Sequence, residues 1–265
     1  MFEWLQYDFM WVALWAVLLV VPLMALLGTL VVNNRMSFFS DALGHSALTG
    51  VAIGVIAGVS DYRWILVLFG VAFALLMNRI RRSRLSSTDT VIGVFSSVGV
   101  ALGLALLSAR GNLANYQSLL VGDILSITRG ELWILAAALA VTALLWAVCF
   151  NGFFTVSVSP ALARSKGRPV WLYDNLFVVL VAVVVMLAIR WVGLLLINAM
   201  LILPAAASRN VARSMRSYHL LSVVFGLFAG VLGLALSYYN GIATGPAIIL
   251  VLAAVFFGTF ILRKK

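Results

Sequence analysis

Charge is scarce in this sequence. Of 265 residues only 10% are Asp, Glu, Lys or Arg, and the acids number eight, while 64% are hydrophobic. An ordinary soluble domain is about 25% charged and about 45–50% apolar. A single soluble core stops growing at roughly 250–300 residues, so a globule of this length cannot hide so much apolar surface. Disorder is excluded because there is too much to bury and too little charge to solvate it. Cysteine is down to Cys149, which excludes a disulfide framework or a cysteine-rich metal site within one chain. Its apolar neighbours make it a small buried filler. Histidine occurs twice, as His45 and His219. No G-x-x-x-x-G-K-[ST] loop is present, so the chain has no nucleotide site of that kind, and any ATP-driven work needs another chain. There is no strong internal repeat and no polar stretch long enough to stand alone. Residues 1–265 therefore read as one all-α, polytopic transmembrane domain.

Long apolar runs are what the sequence has instead. A helix crossing about 30 Å of hydrocarbon needs about 20 mostly apolar residues. Runs of that kind lie near 10–32, 37–58, 64–80, 89–108, 132–150, 172–189, 192–208, 218–237 and 245–262. That gives nine spans, with eight as an alternative count. A shorter stretch at 113–126, broken by Asp123 and flanked by Arg110 and Arg129, reads as a re-entrant or interfacial segment.

The formal net charge of +10 would suit a nucleic-acid binder in a soluble protein. In a chain this apolar it reflects cytoplasmic loops, and no nucleic-acid partner is expected. Arg35, Arg79, Arg81, Arg82, Arg84, Arg164, Lys166, Arg168, Arg209, Arg213, Arg216, Arg263, Lys264 and Lys265 fall on one side of the nine-span scheme, fourteen of the eighteen basic residues. The positive-inside rule makes that side cytoplasmic, with the N-terminus outside and the C-terminus inside. The other side holds Arg63, Arg110, Arg129 and Arg190 with Glu3, Asp8, Asp61 and Glu131. Glu3 and Asp8 make the wrong leader for a cleaved signal peptide, so the first span is expected to stay. Trp4, Tyr7, Phe9, Trp11, Trp15, Trp133, Trp171 and Trp191 read as interface anchors.

An Asp at a helix centre costs roughly 2.5–3.5 kcal/mol to insert, so ionisable residues within spans are candidates for function. Asp41 and His45 stand four apart in the second span, one turn apart on one helical face, with Thr49 a turn further. A carboxylate and an imidazole at that spacing can share a divalent cation such as zinc, manganese or iron. Three other readings stand beside this one: a mutual hydrogen bond, a solvated first-turn acid, or a proton relay. Two ligands are too few for a tight structural zinc site but suit a transit site that must release its ion.

The remaining polar positions read as structural. Gly50, Gly54 and Gly58 form a small-residue stripe for close helix packing, and Gly226, Gly230 and Gly233 suggest another. His219 reads as a non-ligand at the cytoplasmic interface. Asn198 suits a helix–helix hydrogen bond, or together with Thr49 a path lining. Pro204 is placed to kink or end its span, Asp89 to cap the fourth, and the role of Asp123 is open.

Residues 151–171 form the longest polar stretch on the basic side. Ser159 followed by Pro160 is a helix start signal and Gly167 a stop. A short capped helix here can dock on a partner, or the stretch is a solvated loop.

With these residues on the page the chain resembles the membrane permease of ABC importers for zinc, manganese or iron. NNRMSFFSDALGHSALTGVAIG is similar to the family's signature span. TDTVIGVFSSVGVALG, LLVGDILSITRGEL, VGLLLINAMLILPAAAS and SYYNGIATGPAIILV match family segments in order, and SVSPALARSKG resembles its coupling helix. The resemblance implies a type II importer bundle in a bacterial inner membrane, working as a homodimer. It also implies two cytoplasmic ABC ATPase subunits and an extracytoplasmic solute-binding protein. It makes Asp41 and His45 the transit ligands and puts the coupling segment at 157–168, with Ser159, Pro160, Ala163, Arg164 and Gly167 in it. The chain departs from the pattern at Gly44 and Thr49 beside the pair, and at Ser159 and Ala161, where an acidic docking residue is often found.

The reading is thus a transport subunit, not an enzyme, with no permanently bound cofactor and a divalent metal, zinc by preference, as cargo. Two rival classes are an ion-gradient-driven secondary transporter and a type II permease for an iron–siderophore cargo.

Overall fold

The computed structural model describes residues 3–59, 61–83, 87–109, 122 and 124–263. Ten α-helices run through them: α1 Asp8–Asn33, α2 Phe39–Ile56, α3 Arg63–Arg82, α4 Thr88–Ala109, α5 Arg129–Val158, α6 Pro160–Ser165, α7 Val170–Val192, α8 Leu194–Val211, α9 Met215–Asn240 and α10 Thr244–Ile261. Short 3-10 turns occupy Glu3–Gln6 and Ile124–Ser126. All but α6 are long and apolar enough to span a membrane, nine among the described residues. They coincide with the nine apolar runs to within a few residues at most ends. The largest departure is α5, which begins at Arg129 behind a Thr128–Glu131 capping box and runs on to Val158. Most of the 113–126 segment, including Asp123, lies outside the described residues.

α1 is the hub. It packs on α5, α8 and α9, and its face from Ala13 to Val31 is buried. The contacts are close because small residues allow it. A Cβ on Gly28 would stand 1.9 Å from the Leu201 carbonyl oxygen of α8, and Cβ atoms on Gly226 and Gly230 of α9 would meet Val21 and Val17 at 2.6 and 2.5 Å. Such small-residue seams drive helix association where lipid supplies no hydrophobic contrast. Pro22 and Pro204 both sit inside unbroken helices. The expected stop at Pro204 is absent, α8 running on to Val211, as burial among other helices permits.

α2 packs against α3, α4, α7 and α8. Gly50 and Gly54 pack against α3 and Tyr62, as a packing stripe requires. Gly58 does not: it turns the chain after α2 with φ +68° and has nothing within 4 Å of its would-be Cβ. Gly193, at φ +78°, is the one-residue joint between α7 and α8.

Other expectations also shift. Trp4 and Trp191 are buried, not interface anchors, whereas Trp11, Trp15, Trp133 and Trp171 are exposed. Ser87, not Asp89, caps α4, its Oγ accepting from Thr90 N at 3.1 Å. Cys149 is only half-buried. At the end opposite the arginine-rich loops, Arg129 pairs with Asp8 and Arg63 with Asp61. Hydrogen bonds from the Arg63 backbone N–H and guanidinium hold Asp61 below the usual carboxylate range.

Candidate functional site

α2 carries the pair. Asp41 lies in its first turn, and His45 Nε2 stands 3.5 Å from Asp41 Oδ1. The side chains are 34% (His45) and 38% (Asp41) exposed, while Ser40, Ala42, Leu43, Gly44, Ser46 and Ala47 around them are buried. The helix thus turns both polar groups onto a partly open strip between buried neighbours. Asp41 is a first-turn acid of α2, with His45 one turn further along. Ser46, next to His45, backs onto Gly99, near the midpoint of α4. His45 is therefore close to level with the middle of α4.

Asn198, in the first turns of α8, completes the local polar set. Its Nδ2 donates to Asp41 Oδ1 at 2.7 Å, while its Oδ1 is buried without a partner. The expected helix–helix hydrogen bond of Asn198 is therefore made to the carboxylate of the pair itself. Packing sets the register. Leu194 of α8 presses on the bare backbone of Gly44, where a Cβ would stand 1.8 Å from Leu194 Cδ1. The bare Gly44 lets α8 approach closely enough for Asn198 to reach Asp41.

Thr49 belongs elsewhere. It is 4% exposed, its hydroxyl donates to the Gly99 carbonyl, and it fastens α2 to α4. Spacing alone put Thr49 on the face of the pair, but the α4 backbone covers that turn. His219 is 9% exposed, in a nest with Trp146, Phe150 and Tyr218, and takes no part in the site. Among the described residues no group of three or more His, Cys, Asp or Glu comes together. The chain therefore brings together a carboxylate, an imidazole and a neighbouring carboxamide.

The capped helix in the 151–171 loop is present as α6. Ser159 Oγ accepts from Leu162 N at 3.2 Å, Pro160 occupies the first helical position, and Gly167 follows at φ +68°. Ala163 is fully buried, whereas Leu162 is 44% exposed and Arg164 is exposed. The helix thus has one face on the bundle and another facing away.

Sequence reasoning missed a polar cluster where α3 meets α7. Asp174 receives the Arg81 guanidinium on both oxygens at 3.1 Å and Arg82 at 3.2 Å. Fully buried Asn78 donates to Asn175 at 2.8 Å and accepts from Arg81 at 2.7 Å. The available signal was the Asp174–Asn175 pair opening an apolar run on the arginine-rich side, where an acid is out of place.

The family described as the ABC 3 transport family matches residues 6–263. The manganese import system permease protein ScaB of Streptococcus gordonii is 32% identical over 90% of this chain and 85% of its own length. The high-affinity zinc uptake system membrane protein ZnuB of Haemophilus influenzae is 30% identical over 90% of this chain and 92% of its own. Among solved structures, PsaBC from Streptococcus pneumoniae in complex with Fab superposes with a TM-score of 0.84 at 33% identity, covering 97% of this chain and 92% of that one.

Proposed function

The chain belongs to the ABC 3 transport family, and from that membership we propose that two copies of it form the membrane path of an ATP-driven importer for a divalent transition metal. The observation that carries the reading is the Asp41–His45 couple on a membrane-length helix, partly open while the α2 side chains flanking it are buried. Left against lipid, such a carboxylate is costly by roughly 2.5–3.5 kcal/mol. Covered by the same strip of a second copy, it lines a path and the ligand count doubles. The relatives' names divide between manganese and zinc, and a carboxylate–imidazole set accepts both.

Each residue then has a task. Asp41 and His45 receive the ion weakly and release it. Asn198 holds the Asp41 carboxylate while no ion is present, and a half-turn of its carboxamide would offer the buried Oδ1 to the ion as a further oxygen. The arginine-rich ends face the cytoplasm and the N-terminus lies outside. Ser159 and Pro160 start the coupling helix α6, Gly167 ends it, Ala163 seats it, and Arg164 stands at its end. A partner ATPase moves α6 and so alternates which end is open, while an extracytoplasmic binding protein delivers the ion.

The test is uptake of radiolabelled manganese and zinc by the reconstituted importer carrying Asp41→Ala and His45→Ala together. Uptake should fall to background while the ATPase still co-purifies. Unchanged uptake removes the site assignment.

A further inference from the structure

Arg35, Arg81, Arg82 and Arg164 line one cavity of about 500 Å³, with Asp174 the only acid in its wall among the described residues. They arrive from the α1–α2 turn, the end of α3, and α6. Asp174 already receives Arg81 and Arg82, and Arg35 and Arg164 make no ion pair among the described residues. Asp89, one residue beyond the wall at Thr88, is exposed and pairs with none of the four. Four guanidiniums against one carboxylate leave the cavity strongly positive.

Cytoplasmic arginines obeying the positive-inside rule need only be solvated, each on its own. These converge on one cavity. Arg35 has φ +55°, the one non-glycine residue with positive φ among those described. Glycine is the default in that conformation, and a side chain there costs roughly 1–2 kcal/mol. That conformation closes the end of α1, where Arg35 N donates to the Val32 carbonyl and Met36 N to the Val31 carbonyl, and Arg35 lines the cavity beside the other three arginines. The Asn33 amide, which donates to Ser157 Oγ, ties the end of α1 to the end of α5 at the same rim. Guanidinium forks fit phosphate oxygens, and basic pockets between helix ends at headgroup level take anionic lipid headgroups.

We propose that this cavity binds a phosphate group, carried by an anionic lipid headgroup or free in solution, and so cements α6 to the ends of α1, α3 and α7. That the cavity faces the cytoplasm rests on the orientation proposed above; the binding itself does not.

The experiment uses the full-length chain in nanodiscs and in detergent, titrated with phosphatidylglycerol, phosphatidylcholine and inorganic phosphate, with binding read by native mass spectrometry and thermal shift. The variant is Arg35→Gln with Arg164→Gln, which spares the Asn78–Arg81–Asp174 cluster. A headgroup-level arginine contributes roughly fivefold in affinity, so the pair should lose about thirtyfold. Phosphatidylglycerol preferred over phosphatidylcholine, with that loss, identifies a lipid source. The same loss for inorganic phosphate, with no lipid preference, identifies free phosphate. If the double variant fails to fold, each single variant reads its own roughly fivefold loss. Binding that is absent, or equal in wild type and variant, overturns the site. So does unchanged lipid binding with loss of the co-purifying ATPase, which would give the arginines to a protein partner. Asp41→Ala with His45→Ala should bind phosphate as wild type does, which separates failure here from failure of the transport reading.

Discussion

Gly28→Ala joins packing to the site and can be worked through in numbers. The added Cβ would stand 1.9 Å from the Leu201 carbonyl oxygen. A carbon meets a carbonyl oxygen at about 3.3 Å, so α8 must withdraw from α1 by roughly 1.4 Å. The obstacle is backbone, not the tip of a flexible side chain, so rotamer changes cannot absorb it. Overpacking of this kind costs about 1–3 kcal/mol, which for a chain of this size lowers the melting temperature by roughly 2–12 °C. Leu201 lies one turn from Asn198 on α8. A shift of that size would stretch the 2.7 Å bond between Asn198 and Asp41 to about 4 Å, beyond hydrogen-bonding range. Thermal unfolding in detergent and metal uptake should therefore fall together. Gly258→Ala is the control, since its Cβ would meet nothing within 4 Å, and it should be neutral or stabilising by up to about 1 kcal/mol. A Gly28→Ala protein with wild-type melting and uptake would refute the reasoning.

Three further outcomes follow from the same geometry. Thr49→Val removes the hydroxyl bond to Gly99 and should cost about 1 kcal/mol in thermal stability while uptake persists, because the residue fastens α2 to α4 and faces no path. Asp174→Ala strands Arg81 and buried Asn78, and the melting temperature of the purified chain should register a loss of about 2–3 kcal/mol. Ser159→Ala removes the cap of six-residue α6 at a cost of about 1 kcal/mol. Metal-stimulated ATPase activity of the assembled importer should drop, with the rest of the fold unchanged by circular dichroism.

Features set by local chemistry were legible in the sequence. Apolar length marked the nine spans, and Ser159, Pro160 and Gly167 marked both ends of α6, because caps and breakers act within a few residues. The spacing of Asp41 and His45 put them on one face, and the structure places both on an open strip. What spacing cannot supply is which neighbour covers each turn. Thr49 has the right helical phase for the pair's face, yet α4 closes over it. Gly58 has the right phase for packing, yet the helix has already ended. Trp191 looks like an anchor at a span end, yet it is buried within the bundle. The Asp174 cluster went unread because its members lie about a hundred residues apart in sequence, between the ends of α3 and α7.

The central claim is that His45 and Asp41 touch the ion, and X-ray absorption at the metal edge tests it most directly. On the zinc-loaded importer, the account predicts a nitrogen–oxygen shell at about 2.0–2.2 Å with outer-shell imidazole scattering, and that scattering should vanish in His45→Ala. An identical spectrum from wild type and His45→Ala would contradict it.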